Sequence, residues 1–542
     1  MRGLTMDCQL TIPAIMRQAE RMSCDVEIVS REPNRGIRRY RYGDMIRRAK
    51  KLAVALQELG VKPGDRVATF GVSHHQHLEA YFAVPSIGAV LHTLNPRLHP
   101  KELAAIAEHA DDRVILVDAA HLALFDQWRD SVAAQHVIVM ANDGASHAAI
   151  AYEQLVENAD ANRFAYPNLD ERDAAAMCYT SGTTGRSKGV VYSHRAIVLE
   201  AMHWTAADVV GARQRDVMLA VVPMFHINGW GMPFTAALVG AKLVLPGPFL
   251  DAQSLLELIH QEKVSLSAGV PTVWFNVLEE LNRHCPYDTS SLRALVVGGS
   301  AVPRSLLEGF DRFGIHVLHA WGMTETTALA AISSVPAALD SASPDERYRI
   351  RVKQGRPVPF VEIRARADAG LVPWDGQTLG ELEVRGPTIA SQYFNHSRDD
   401  GSFTEDGWFR TGDIVTIDPA GYIELHDRAK DVVKSGGEWI SSVALENCLM
   451  GHPAVAEAAV VGVPHPKWGE RPLACVVLKG KASATAEELR DYLSREFAKW
   501  WLPDWIQFVE RIPLTSTGKF LKSALRERYA AIEGGTSPNG VD

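Results

Sequence analysis

The 542-residue sequence has little cysteine, no excess of basic charge and no long uninterrupted apolar run, and each shortage excludes a class of protein. Its six cysteines, Cys8, Cys24, Cys178, Cys285, Cys448 and Cys475, are scattered and form no C-x-x-C pair. Neither a disulfide framework nor a zinc ribbon is therefore indicated, and a reducing cytoplasm is expected. With 56 Lys and Arg against 65 Asp and Glu, a net charge of -9, the chain would repel a phosphate backbone, which argues against nucleic acid as its main partner. The most apolar stretch, 221–250, is broken by His226, Asn228, Pro223, Pro233, Pro246 and Pro248, so it reads as a buried pocket wall and not as a transmembrane segment. Asp7 and Gln9 stand where a secretory signal needs its apolar core, and no signal is expected. No repeat of solenoid length is evident.

Hydrophobic residues at 46% and charged residues at 22% are ordinary globular values. The length exceeds what one core usually supports, which implies more than one folding unit. Through the first four hundred residues helical periodicity alternates with short β-branched runs. Helices are predicted over 42–60, 77–88 and 197–210, and strands over 66–70, 114–118, 136–140, 242–245 and 292–298. Such alternation implies an α/β fold with parallel sheets. Around 380–384 and 421–425 short strands with Gly and Asp turns take over, as in a small antiparallel β-barrel subdomain. From about residue 432 a compact α+β unit follows, with a long helix predicted over 486–499. The expected division is thus 1–427 for a large N-terminal unit, 428–431 for a hinge and 432–542 for a small mobile unit. The end, EGGTSPNGVD, reads as a loose tail.

The chemically pointed segment is Tyr179-Thr-Ser-Gly-Thr-Thr-Gly-Arg-Ser-Lys188-Gly189, which follows the apolar run 174–178. Gly182, Gly185 and Gly189 let backbone N–H groups turn toward a ligand. The hydroxyls of Thr180, Ser181, Thr183 and Thr184 are donors for phosphate oxygens, and Lys188 adds positive charge. The pattern G-x-x-x-x-G-K-[ST] cannot be laid on it in any register, so it is not a Walker loop.

YTSGTTGRSKG resembles the signature of the adenylate-forming superfamily of acyl-CoA synthetases, carrier-protein adenylation domains and firefly-type luciferases. Further motifs of that superfamily follow in order, from about residue 42 to 526. Ala320-Trp321-Gly322-Met323-Thr324-Glu325 resembles the motif whose aromatic residue lies by adenine, whose Thr meets phosphate and whose Glu holds Mg²⁺. One carboxylate beside a hydroxyl is a sufficient set for a triphosphate-bound ion, and the resemblance adds Thr184 to it. Read alone, Thr-Glu after a turn is also an ordinary helix start. Gly299 and Ser300 join the nucleotide set by the same resemblance. Arg410-Thr-Gly-Asp413 resembles the motif whose carboxylate accepts both ribose hydroxyls, and Asp427-Arg428-Ala-Lys430-Asp431 resembles the hinge, with Arg428 reaching the ribose and Lys430 as pivot. Pro513-Leu-Thr-Ser-Thr-Gly-Lys519 resembles the last motif. Its lysine stabilises the charge that builds when a carboxylate attacks the α-phosphorus.

The run Lys434-Ser-Gly436-Gly437-Glu438-Trp439 resembles the loop that lines the pantetheine arm of CoA once the small unit has rotated, glycines allowing close passage. The acid pocket is expected from His226, Trp230, Val270, Trp274, Gly298 and Gly299. His226 follows Phe225 where amino-acid-activating relatives carry an Asp for the substrate ammonium, so an amino acid would leave its charge unpaired. The run HINGWGMPF with SGGEWIS most resembles medium- and long-chain fatty acyl-CoA synthetases, a branch that includes 3-methylmercaptopropionate-CoA ligases. There a Trp at the place of Trp230 gates the acyl tunnel; a core aromatic is the other reading of Trp230.

The resemblance implies an ATP- and Mg²⁺-dependent acid–thiol ligase that uses CoA as co-substrate and acts on a medium- or long-chain fatty acid. It implies Lys519, Thr184, His226 and Glu325 as catalytic residues, and extends to this chain the homodimer common among relatives. A short-chain, methylmercaptopropionate or aromatic acid ligase, or an acyl-AMP ligase loading a carrier protein, stays open beside it. A non-catalytic protein on the same fold is disfavoured because Lys188, Glu325, Asp413, Arg428 and Lys519 are all present.

Overall fold

The computed structural model describes residues 1, 3–140, 150–180, 187–283, 286–396, 401–436, 438–480, 482–514 and 520–530, with backbone alone at 438 and 439. Of the residues singled out above, Ser181, Gly182, Thr183, Thr184, Gly185, Gly437 and Lys519, the side chains of Glu438 and Trp439, and the tail beyond 530 lie outside the described residues.

Two twisted sheets with a shared helical layer carry the large part of the chain. The first has seven strands in the order Ile150–Ala151, His136–Met140, Asp112–Asp118, Arg66–Phe70, Val90–Thr93, Ala174–Tyr179 and Gly189–Ser193, parallel except for the last pair. The second has nine, with six parallel strands at its centre: His316–Trp321, Ala294–Gly298, Leu266–Gly269, Val217–Leu219, Lys242–Leu245 and Glu27–Arg31. Alternation along each strand builds the layers. Val67, Val114 and Leu116 of the first sheet share one core with Ile28, Leu243 and Val296 of the second. Their neighbours Ala68, Ile115 and Val117 pack outward against Leu103, Ile106 and Trp128, and Val29, Leu295 and Val297 pack outward against Trp274, Leu306 and Phe310.

An antiparallel sheet follows, in the order Gly370–Leu371, Glu362–Ala367, Gly380–Arg385, Phe409–Ile417, Ile423–Arg428. The next strand begins at Val433 and opens a further sheet built on the long pair Val455–His465 and Gly469–Leu478. One face of that sheet holds the helices Ser442–Met450 and Ala486–Leu493 through Leu445, Leu449, Leu489 and Leu493. The other holds Lys522–Tyr529 through Leu525 and Tyr529. Among the described residues no helix is long and apolar enough to cross a membrane.

Strands at 66–70, 136–140 and 242–245 lie where periodicity places them, and the helix at 42 ends at Glu58. Helix boundaries shift for local reasons. The helix expected over 77–88 starts at His75, because the His74 ring caps the Gln76 and His77 amides, and it ends at Ala83, before Pro85. The one expected over 197–210 is His194–Thr205, capped by the Ser193 hydroxyl, which accepts the Ala196 N–H at 3.1 Å. Val209 and Val210 are apolar because they are buried in the following loop. The long helix over 486–499 stops at Leu493, after which the chain turns and Phe497 and Trp501 stack with ring centroids 5.4 Å apart.

Candidate functional site

Three adjacent parallel strands end side by side: Leu266–Gly269, Ala294–Gly298 and His316–Trp321. Ligands of α/β sheets collect at such carboxyl ends, and the residues that follow, Val270, Gly299–Ser300 and Gly322–Glu325, line a cavity of about 1230 Å³. Glycine is required here for space. A Cβ on Gly298 would sit 2.6 Å from the Ala320 carbonyl oxygen of the neighbouring strand, and one on Gly322 would run into the Ala328 carbonyl. Thr324 and Glu325 open a single 3-10 turn, so the helix-start reading and the ligand reading are compatible. That turn is tied down by the Tyr192 hydroxyl, which donates to the Thr324 carbonyl at 2.7 Å.

The hydroxyl-rich segment leaves the strand Ala174–Tyr179 and returns as the antiparallel strand Gly189–Ser193. Its base is closed by Thr180 N–H to the Lys188 carbonyl at 2.9 Å and by Lys188 N–H to Thr180 Oγ1 at 3.2 Å. Its described flanks are two antiparallel strands, which separates it from Walker loops, since those run into a helix. Thr180 and Lys188 face the cavity. Lys188 Nζ donates to Ser402 Oγ at 3.4 Å and lies 4.5 Å from the centre of the Tyr393 ring. The Tyr393 hydroxyl in turn donates to Glu325 Oε1 at 2.7 Å. Lys188, Tyr393 and Glu325 therefore form one polar wall. Tyr393 was not foreseen, because an isolated tyrosine in a loop carries no pattern in the sequence.

Asp413 and Arg428 are cross-strand partners in the antiparallel sheet, which places their side chains on one face within reach. Arg428 Nε lies 2.6 Å from Asp413 Oδ1 as an ion pair, and this pairing holds the guanidinium above its usual range. Trp321 Nε1 donates to Oδ2 at 2.9 Å. Asp413 Oδ1 is buried beside that guanidinium, and both residues line the cavity. Lys430 also lines the cavity, and burial lowers its pKa.

The apolar side of the cavity carries His226, Trp230, Val270, Val273, Phe275 and Leu278. His226 and Trp230 flank a run of left-handed backbone: Ile227 φ 36°, Asn228 φ 37°, Gly229 φ 63°, Trp230 φ 52° and Gly231 φ 71°. Non-glycine residues there cost about 1–2 kcal/mol each, and hydrogen bonds fix the residues just ahead of the turn. Met224 N–H donates to Ser73 Oγ at 3.1 Å, the Tyr81 hydroxyl donates to the Met224 carbonyl, and Thr93 Oγ1 donates to the Phe225 carbonyl at 3.3 Å.

Trp274 corrects the sequence reading. It is fully buried against Phe310 on the far side of its helix, and its indole nitrogen would lie 2.8 Å from a Cβ on Gly269. The helix Pro271–Asn282 turns Trp274, Val277 and Leu281 to the core and Val273, Phe275 and Asn276 to the cavity. Lys434 and Gly436 stand outside the cavity lining. Gly436 has φ 62°, and its N–H donates to the Trp468 carbonyl at 2.7 Å while the Trp468 ring lies where a side chain would go. Leu514 and Phe520, on either side of 515–519, pair with each other as a β-bridge and line the cavity. Among the described residues no group of three or more His, Cys, Asp or Glu could hold a metal ion, and Glu325 lines the cavity together with Thr180 and Lys188.

Comparison with known proteins agrees with this geometry. The AMP-binding enzyme family matches residues 15–394, and the AMP-binding enzyme C-terminal domain matches 444–519. A long-chain-fatty-acid–CoA ligase of Thermus thermophilus is 49% identical over 98% of this chain and 97% of its own length. A medium-chain-fatty-acid–CoA ligase of Ectopseudomonas oleovorans is 43% identical over 98% of each chain. A 3-methylmercaptopropionyl-CoA ligase of Ruegeria lacuscaerulensis is 41% identical over 98% of this chain and 99% of its own. Among solved structures, an anthranilate CoA ligase in complex with anthranoyl-AMP superposes with a TM-score of 0.87 at 25% identity, covering 97% of this chain and 98% of that one.

Proposed function

The chain belongs to the AMP-binding enzyme family, and from that premise we infer how its cavity works. It is an ATP-dependent acyl-CoA synthetase that forms an acyl-adenylate and then the CoA thioester, releasing pyrophosphate and AMP. The acid is a medium- or long-chain fatty acid. One observation carries the assignment of roles: a single cavity is lined both by the Trp321–Glu325 turn and the Asp413–Arg428 pair and by His226 and Trp230.

In this reading the Asp413 carboxylate, which lines the cavity and has more lone-pair sites than its two partners use, takes a ribose hydroxyl, and Trp321 borders the adenine. Thr180 and Lys188 open the phosphate loop, whose hydroxyls at Ser181, Thr183 and Thr184 complete it with the backbone of Gly182 and Gly185. Glu325, with Thr184, fits Mg²⁺, which when bound neutralises phosphate charge. His226 orients the acid carboxylate, and its oxygen attacks the α-phosphorus while the α–β phosphoanhydride bond breaks and pyrophosphate leaves. Lys519 offsets the approach of the two anions. Rotation about Lys430 then brings Gly436, Gly437 and their neighbours to the cavity, where the CoA sulfur attacks the acyl carbon and AMP leaves.

Tyr393 holds Glu325 through a charge-assisted hydrogen bond. Removing such a partner costs roughly ten- to hundredfold in metal affinity. Tyr393→Phe is therefore expected to raise the half-saturating Mg²⁺ concentration about tenfold, with a smaller change in kcat at saturating Mg²⁺. An unchanged Mg²⁺ titration would remove Tyr393 from the site.

The wall of Val273, Phe275 and Leu278 beyond Trp230 supports an alkyl chain over a charged substrate. The relative that acts on 3-methylmercaptopropionate favours a short sulfur-containing acid as the second reading. Thioester formation with ATP, Mg²⁺ and CoA across acids of graded chain length decides between them. The present reading requires kcat/KM to peak at medium or long chains, and a peak at the shortest acids would replace it. Free thiols at the five described cysteines support a cytoplasmic location. The homodimer rests on resemblance and is checked by sedimentation of the purified chain.

A further inference from the structure

The strand Ile423–Arg428 meets the helix Ser442–Met450 directly, across the 428–431 segment. Asp427, 1% exposed, makes that junction through one carboxylate oxygen while the other stays on its own strand. Oδ1 accepts the Arg428 N–H at 2.8 Å, and Oδ2 accepts the Ser442 N–H at 2.7 Å. Ser442 is the first residue of its helix, so this amide has no partner within the helix, and a carboxylate placed there also gains from the helix dipole. The Ser441 hydroxyl strengthens the junction by donating to the His426 carbonyl. Lys522 backs it from the last helix, donating to Ser442 Oγ at 2.6 Å and pairing with Glu446 at 2.7 Å, while Arg526 pairs with Asp431 at 2.5 Å.

Asp427 precedes the pivot and Ser442 follows it, so rotation about Lys430 must break their hydrogen bond. The bond therefore belongs to one arrangement only. In that arrangement Leu514 and Phe520 line the nucleotide cavity, and Lys434, Ser435 and Gly436 do not, which corresponds to the first half-reaction. Asp427 also adjoins Arg428, partner of the nucleotide-side Asp413, so the same residue ties the docked helix to the nucleotide wall.

We propose that Asp427 is a positioning residue for adenylation, its carboxylate docking the N-terminus of the Ser442–Met450 helix and so holding the C-terminal unit in the adenylating orientation. This rests on the two-step reading above.

The test measures the two half-reactions separately in the full-length enzyme: acid-dependent pyrophosphate release with hydroxylamine as acceptor, and thioester formation from supplied acyl-adenylate and CoA. Loss of a hydrogen bond to a charged group corresponds to roughly ten- to hundredfold. Asp427→Ala is expected to lower the first rate by about that factor and to leave the second within about twofold of the parent. Ser442→Pro removes the same hydrogen bond from the other side, at a helix position where proline is tolerated, together with the hydroxyl that Lys522 donates to; it is expected to give the same split, and Ser442→Ala, which loses only the hydroxyl, is expected not to. Ser442→Pro decides the matter if Asp427→Ala does not fold. Equal losses in both steps, a larger loss in the second, or no loss in either would overturn the proposal. A parent enzyme that releases no pyrophosphate with any acid would instead overturn the two-step reading.

Discussion

Lys519→Ala is expected to lower acyl-adenylate formation by roughly 10²–10³-fold, the loss typical when one preorganised group facing transition-state charge is removed. Attack of a carboxylate on the α-phosphorus brings two anions together in a cavity whose nearby Arg428 is already committed to Asp413 at 2.6 Å. A cation brought to the reacting atoms from outside that pair meets the need. Leu514 and Phe520, the described residues next to 515–519, pair as a β-bridge and line the cavity, which supports Lys519 as the source. Thioester formation from supplied acyl-adenylate needs no such cation and should stay near the parental rate. Gly437 replaced by a bulky residue should show the opposite split. Equal loss of both steps in Lys519→Ala would contradict the role.

Asp413→Ala carries the second large effect. The carboxylate is 1% exposed and Arg428 37% exposed. Truncation leaves a half-buried guanidinium without its partner and the Trp321 N–H without its acceptor. Removing one member of a fully buried pair costs about 3–5 kcal/mol. The exposure of Arg428 places that stability cost near the lower end, and the loss of a charged acceptor for the ribose is separately expected to lower kcat/KM for ATP roughly ten- to hundredfold. Asp413→Asn, which keeps an acceptor for the indole, should lose less. Arg428→Met combined with Asp413→Ala should lose less than the sum of the two single changes, because the second truncation removes the charge that the first left stranded. Strict additivity would show that the pair does not act as a unit.

Parts of this site could be read from consecutive residues. The apolar run 174–178 announced a strand ahead of the hydroxyl- and glycine-rich segment, and the strand Ala174–Tyr179 lies there. Asp413 and Arg428 were both named, yet their meeting depends on the register of two strands. Trp274 failed because a pocket motif on a helix has two sides, and which one faces inward is settled by packing against Phe310. Tyr393 and Asp427 acquire meaning only through Glu325, 68 residues away, and Ser442, 15 residues away. Met224 and Phe225, just ahead of the left-handed turn at 227–231, are held by Ser73, Tyr81 and Thr93, which no local pattern connects to them.

By itself the sequence determined the alternation of strands and helices, the order of the motifs and the chemistry available at each, because periodicity, glycine freedom and side-chain charge are properties of neighbouring residues. The tertiary structure alone decided which groups meet: the shared cavity, the Asp413–Arg428 and Tyr393–Glu325 pairs, the inward exclusion of Trp274 and the docking of a helix on Asp427. Those contacts join residues far apart in the chain, and their geometry follows from strand register and core packing, which only the whole fold sets.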